Sequence, residues 1–81
     1  MTFTALINIM PLKELLDPQG KAVMGGLKNL GITQVTDVRI GRRITLEVDA
    51  ADKAEAGRIA EAACEKLLAN QVMEYFEVEI Q

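Results

Sequence analysis

The sequence predicts an α+β domain with element order β-α-β-β-α-β, in which two helices cover one face of a four-stranded antiparallel sheet. Three observations carry this. Four short stretches alternate apolar and polar residues, two stretches repeat apolar residues at helical spacing, and the breakers fall between them. With 81 residues the chain forms one domain, residues 1–81, around a single core.

The first strand spans residues 3–10, with Phe3, Ala5, Ile7 and Ile9 on one face and Thr4, Leu6, Asn8 and Met10 on the other, until Pro11 removes a ladder donor. Leu12 to Leu16 form a connection. Asp17 then caps the first helix, with Pro18 in its opening turn. Val23, Leu27 and Leu30, with Met24 beside them, give that helix an apolar stripe, and Gly31 is its left-handed stop.

Residues 35–40 and 44–48 read as two strands of a hairpin. A three-residue loop, Gly41-Arg42-Arg43, pairs Ile40 with Ile44 and Val38 with Leu46, so that like faces meet. Asp52, with Glu55 three positions on, opens a second helix, whose stripe runs Ala56, Ile59, Ala60, Ala63, Cys64, Leu67 and Leu68 as far as Asn70. Residues 72–80 close the domain with Phe76, Val78 and Ile80 alternating against Tyr75, Glu77 and Glu79. This is the ferredoxin-like arrangement.

Such a fold leaves one sheet face uncovered, where Leu6, Met10, Met73 and Tyr75 are expected. Two readings stand: scattered exposed hydrophobes, or a face or edge that meets another subunit. A domain of this size builds a small core, so self-association is expected on general grounds.

Composition narrows the chemistry. The chain is 49% hydrophobic and 26% charged, has a formal net charge of −3, and contains no His and one Cys. The acidic balance argues against a phosphate backbone as partner. The missing His removes the commonest acid–base group, and a Cys/His zinc cage and an intrachain disulfide are excluded as well. The N-terminal stretch has neither a basic lead nor the length of a membrane span, so the chain reads as cytosolic.

Cys64 falls on the second helix's apolar stripe and reads as a core residue. Glu74, Glu77 and Glu79 read as a solvated face rather than paired catalytic carboxylates. The glycines form neither a dinucleotide fingerprint nor a P-loop, so no cofactor or metal is expected on this chain. Gly25-Gly26 inside a helix costs about 1 kcal/mol per glycine, which suggests close packing, either within the chain or on a partner. Arg39, Arg42 and Arg43 cluster on the hairpin, as a solvated tip or as a grip for an acidic or phosphate-bearing surface. The chain lacks the stacked aromatics of RNA-recognition modules, the Cys-x-x-Cys of heavy-metal domains and the phosphate-binding arginine of acylphosphatases. A regulatory small-molecule-binding dimer remains an alternative.

Four segments, Leu16-Asp17-Pro18-Gln19-Gly20-Lys21-Ala22-Val23, Asp37-Val38-Arg39-Ile40-Gly41, Cys64 to Asn70 and Glu74 to Ile80, closely resemble the small subunits of phosphoribosylformylglycinamidine (FGAM) synthase. The resemblance spans nearly the whole chain. It implies a non-catalytic, cytoplasmic subunit of a purine-biosynthesis ligase, in which a glutaminase subunit releases ammonia and a large synthetase subunit consumes it, with ATP, Mg and glutamine used by those partners. It further implies a homodimer that joins the two enzymes and helps ammonia pass between them. The expected docking residues are Lys21, Arg39, Gly41, Arg42 and Arg43, with the resemblance bearing most directly on Arg39 and Gly41.

Overall fold

A computed structural model describes residues 1–13 and 15–81. Strand β1 (Thr2–Pro11) is central in a three-stranded antiparallel sheet, flanked by β2 (Arg42–Asp49) and β3 (Glu74–Ile80) in the order β2-β1-β3. The register pairs Ile7 with Ile44 and Ala5 with Leu46 on one side, and Ile7 with Val78 and Ile9 with Phe76 on the other. These pairs put every apolar alternate on the same face. On β1 the alternation is as the sequence predicts, and Ala5, Ile7 and Ile9 are fully buried.

Helix α2 (Lys53–Ala63) lies across that face. Its start is capped as expected: the Asp52 carboxylate accepts the Glu55 N–H at 2.8 Å, while Glu55 accepts the Ala51 N–H at 3.3 Å. Ala56 and Ala60 meet Ala5, Val48 and Ala50, and Cys64 and Ala69 meet Ile7 and Ile9, so small helix residues let the helix sit close on the strand. The helix then widens into a π-helical turn over Cys64–Leu68, closed by the Ala69 N–H on the Cys64 carbonyl at 3.0 Å. One extra residue per turn shifts the facing. Leu68 and Ala69 therefore turn inward while Leu67, expected on the buried stripe, is 83% exposed, and Ile59 also points out.

Four sequence expectations are corrected. Residues 35–40 form no strand within the chain, so among the described residues the sheet has three strands and not four. Arg42 and Arg43 belong to β2, paired with Ile9 and Asn8, instead of forming a loop, and the Ile40–Ile44 hairpin is absent. The last strand starts at Glu74, which leaves Met73 in the preceding turn and off the sheet. Helix α1 (Pro18–Asn29) forms where predicted but does not pack on the sheet.

The last correction decides the shape. Helix α1 leads away from the sheet and is closed by a Schellman-type turn, with the Ile32 N–H on the Leu27 carbonyl at 2.9 Å and Gly31 at φ +83°. The chain then returns from Ile32 to Gly41 without helix, turn or bend and enters β2. Helix and return segment make an arm. The molecule accordingly measures 51 × 24 × 14 Å, with a radius of gyration of 16.2 Å, against about 12 Å for a compact chain of this length.

Candidate functional site: the base of the arm

Arg39, Gly41 and Arg42 converge with the helix start Asp17 to Gly20 where the arm leaves the sheet. Asp17 caps α1 by accepting the Gly20 N–H at 3.0 Å, and its second oxygen accepts the Ile40 N–H at 2.9 Å, tying the outgoing helix to the returning segment. These two backbone donors hold its carboxyl below the usual carboxylate range. Gly20 is buried, and a Cβ there would collide with the Val38 carbonyl. The Asp-Pro-Gln-Gly start is thus a helix cap and a close crossing at once.

Arg39 is committed to the backbone. Its guanidinium donates to the carbonyls of Pro11 and Leu12 at 2.7 Å each and of Lys13 at 3.2 Å, fixing the connection that follows β1. Gly41 sits against the Ile9 carbonyl and the Met10 sulfur, where a side chain has no room. Arg42 forms a two-pronged pair with Glu74, at 2.7 and 3.0 Å, and donates to the Leu68 carbonyl at 3.0 Å. Glu74 also accepts the Asn70 N–H at 2.9 Å. Arg42 is the main reason its carboxyl lies below the ordinary range, and Glu74 in turn raises the guanidinium.

Of the five expected docking residues, Arg39, Gly41 and Arg42 are therefore used inside the chain, while Lys21 and Arg43 stand exposed on the arm and on β2. The role of Arg39 as a clamp on three carbonyls has no sequence signal. The sheet's open face is more polar than expected: Leu6, Met10 and Tyr75 are half-buried, with Met10 opposite Tyr75, but exposed Asn8, Glu77 and Glu79 lie among them. Cys64 is fully buried, and burial pushes its thiol up, with Glu61 and Glu65 adding to the effect. Among the described residues no three His, Cys, Asp or Glu side chains are gathered to hold a metal. Among the described residues, the ionic groups Asp17, Arg39, Arg42 and Glu74 at the arm base are held in capping, clamping and pairing contacts.

Comparison with known proteins gives the family. The family model described as "PurS: Phosphoribosylformylglycinamidine (FGAM) synthase" matches residues 4–81. The chain belongs to the PurS family. Relatives named FGAM synthase subunit PurS include that of Mycobacterium leprae, 46% identical over 71 residues and covering 86% of this chain and 85% of the relative. That of Bacillus subtilis is 41% identical, covering 86% and 83%. A solved structure of PurLQS from Thermotoga maritima contains a chain that matches with a TM-score of 0.92 at 33% identity, covering 100% of this chain and 99% of that one. The match includes the arm. This chain is therefore a PurS subunit of FGAM synthase, a ligase complex of purine biosynthesis. No helix of the described residues is long and apolar enough to cross a membrane.

Proposed function

We infer that this PurS chain acts in the cytoplasm as the non-catalytic adaptor of FGAM synthase, joining the glutaminase subunit to the ATP-dependent synthetase subunit and supporting the passage of ammonia between them. The observation that carries this reading is the full-length match to a chain of the Thermotoga maritima PurLQS structure. The chemistry agrees: the ionic groups at the arm base are spent on capping, clamping and pairing, which suits a part that holds geometry. ATP, Mg and glutamine belong to the partner subunits in this reading, and the chain itself carries no cofactor. Lys21 and Arg43 are the cations that meet acidic partner surfaces, while Arg39, Gly41 and Arg42 act by holding the arm in place. Nothing in the fold or among the relatives favours a metabolite-binding regulator.

Reconstitution tests the reading. Omitting PurS should abolish glutamine-dependent amination far more than amination with free ammonia, because an adaptor joins two active sites without building either. Charge reversal at Lys21 and Arg43 should weaken assembly in a salt-dependent way. If the other two subunits bind each other and use glutamine equally well without this chain, it is not the adaptor.

A further inference from the structure

The outer edge of β3 is open, and the ladder fixes which groups it presents. The Gln81 N–H donates to the Thr4 carbonyl and the Leu12 N–H to the Met73 carbonyl, each at 2.9 Å, and both pairs continue the β1–β3 register at its ends. Bonded and non-bonded pairs alternate along an antiparallel ladder, so Glu79, Glu77 and Tyr75 turn their backbone groups toward Leu6, Asn8 and Met10 of β1. Phe76, Val78 and Ile80 turn theirs outward. Among the described residues no backbone group bonds to them from the open side, because β3 ends the sheet.

The side chains of β3 select what fits that edge. Phe76, Val78 and Ile80 pack on the core yet stay half-buried, so the apolar face of the sheet ends there without full cover. On the opposite face Glu77 and Glu79 are exposed neighbours, and neither forms an ion pair within the described residues. A second copy fits poorly: two β3 strands paired antiparallel about Val78 would set each Glu77 opposite the other copy's Glu79, and like charges directly opposite are destabilising. Cations are favoured there instead. The strand carries no proline, lysine or bulge to guard the edge, and its glutamates repel an acidic strand but not a basic one.

We propose that this edge receives an extended segment of a partner subunit of FGAM synthase, which adds to β3 as a further strand through main-chain hydrogen bonds to Phe76, Val78 and Ile80 and sets Lys or Arg side chains against Glu77 and Glu79. Backbone pairing supplies affinity, and the cations supply choice. The inference rests on the adaptor reading and adds to it the surface and the chemistry by which a partner is held.

The test uses the reconstituted three-subunit complex. In the free chain, amide hydrogen exchange should be fast at Phe76, Val78 and Ile80 and slow at Tyr75, Glu77 and Glu79; in the complex the first three should slow by at least about tenfold. Glu77→Lys combined with Glu79→Lys, both at exposed positions, should leave the fold intact and weaken assembly about tenfold at low salt, and less at high salt. Glu47→Lys combined with Asp49→Lys makes the same change in net charge at exposed positions on β2, the far strand of the sheet, and should assemble as the wild type does. Edge amides that stay fast in a complex that needs PurS for glutamine use would overturn this inference and leave the adaptor reading standing. Edge amides already slow in the free chain, or equal weakening by the two charge variants, would also overturn it. A chain that binds neither partner overturns both.

Discussion

The Asp17 carboxylate binds two parts of the chain at once, accepting the Gly20 N–H at 3.0 Å and the Ile40 N–H at 2.9 Å. Capping and arm geometry therefore depend on different oxygens of one side chain. In Asp17→Asn the amide oxygen still caps α1, but the amide nitrogen presents a donor to the Ile40 N–H. Amide hydrogen exchange should accelerate at Ile40 and remain slow at Gly20. In Asp17→Ala both should accelerate, with a loss of about 1 kcal/mol for the cap alone. Equal protection at Ile40 in wild type and Asp17→Asn would show that the second contact does not hold the arm.

Gly20 and Gly41 should not tolerate a methyl group, because the atoms in the way include backbone carbonyls, of Val38 in one case and Ile9 in the other. Backbone yields less readily than a side chain. Alanine at either position should cost about 1–3 kcal/mol by urea unfolding. Gly57→Ala gives the opposite sign: its Cβ would lie 3.9 Å from the Ile80 side chain, an ordinary contact, in the interior of α2. It should gain about 0.5–1 kcal/mol.

Acid should loosen the base of the arm. Backbone donors depress Asp17, and Arg42 depresses Glu74. A carboxyl whose folded pKa is lowered contributes stability that is present above its unfolded pKa of about 4 and is lost as pH falls through the lower folded value. The melting temperature should hold near neutral pH and drop below about pH 4. Glu74→Gln should be less stable at neutral pH, having lost a charge-assisted pair, and should respond less steeply to acid. Parallel pH profiles for wild type and variant would contradict the assignment.

The local parts of this fold were legible in the sequence. Period-two alternation finds β1 and β3, Asp17-Pro18 and Gly31 bound α1, and Asp52 with Glu55 starts α2, because each signal involves residues close in the chain. Val35–Ile40 carries a strand pattern equally well, but pattern records which face is apolar and not whether a strand edge lies within reach. The same limit misplaces α1, whose stripe is real and has no sheet beneath it in the single chain. Leu67 turns outward because a π-helical turn adds a residue that a 3.6-residue period does not anticipate. At the arm base, Asp17, Gly20, Arg39 and Gly41 stand out through family resemblance, whereas the clamp of Arg39 on Pro11, Leu12 and Lys13 depends on contacts across more than 25 positions.

Cys64 offers a probe of the core that leaves the arm untouched. Its thiol is fully buried against Ile7 and Ile9, and burial favours the neutral, unreactive form. Alkylation at neutral pH should therefore proceed through opening of the α2 end, with a rate that rises with urea in step with unfolding. Cys64→Ser places a hydroxyl among apolar side chains and should cost about 1–3 kcal/mol, while glutamine-dependent activity of the reconstituted complex should persist at temperatures where the variant is folded. Rapid labelling of the native protein, or lost activity at unchanged stability, would show that the cysteine has a chemical role beyond packing.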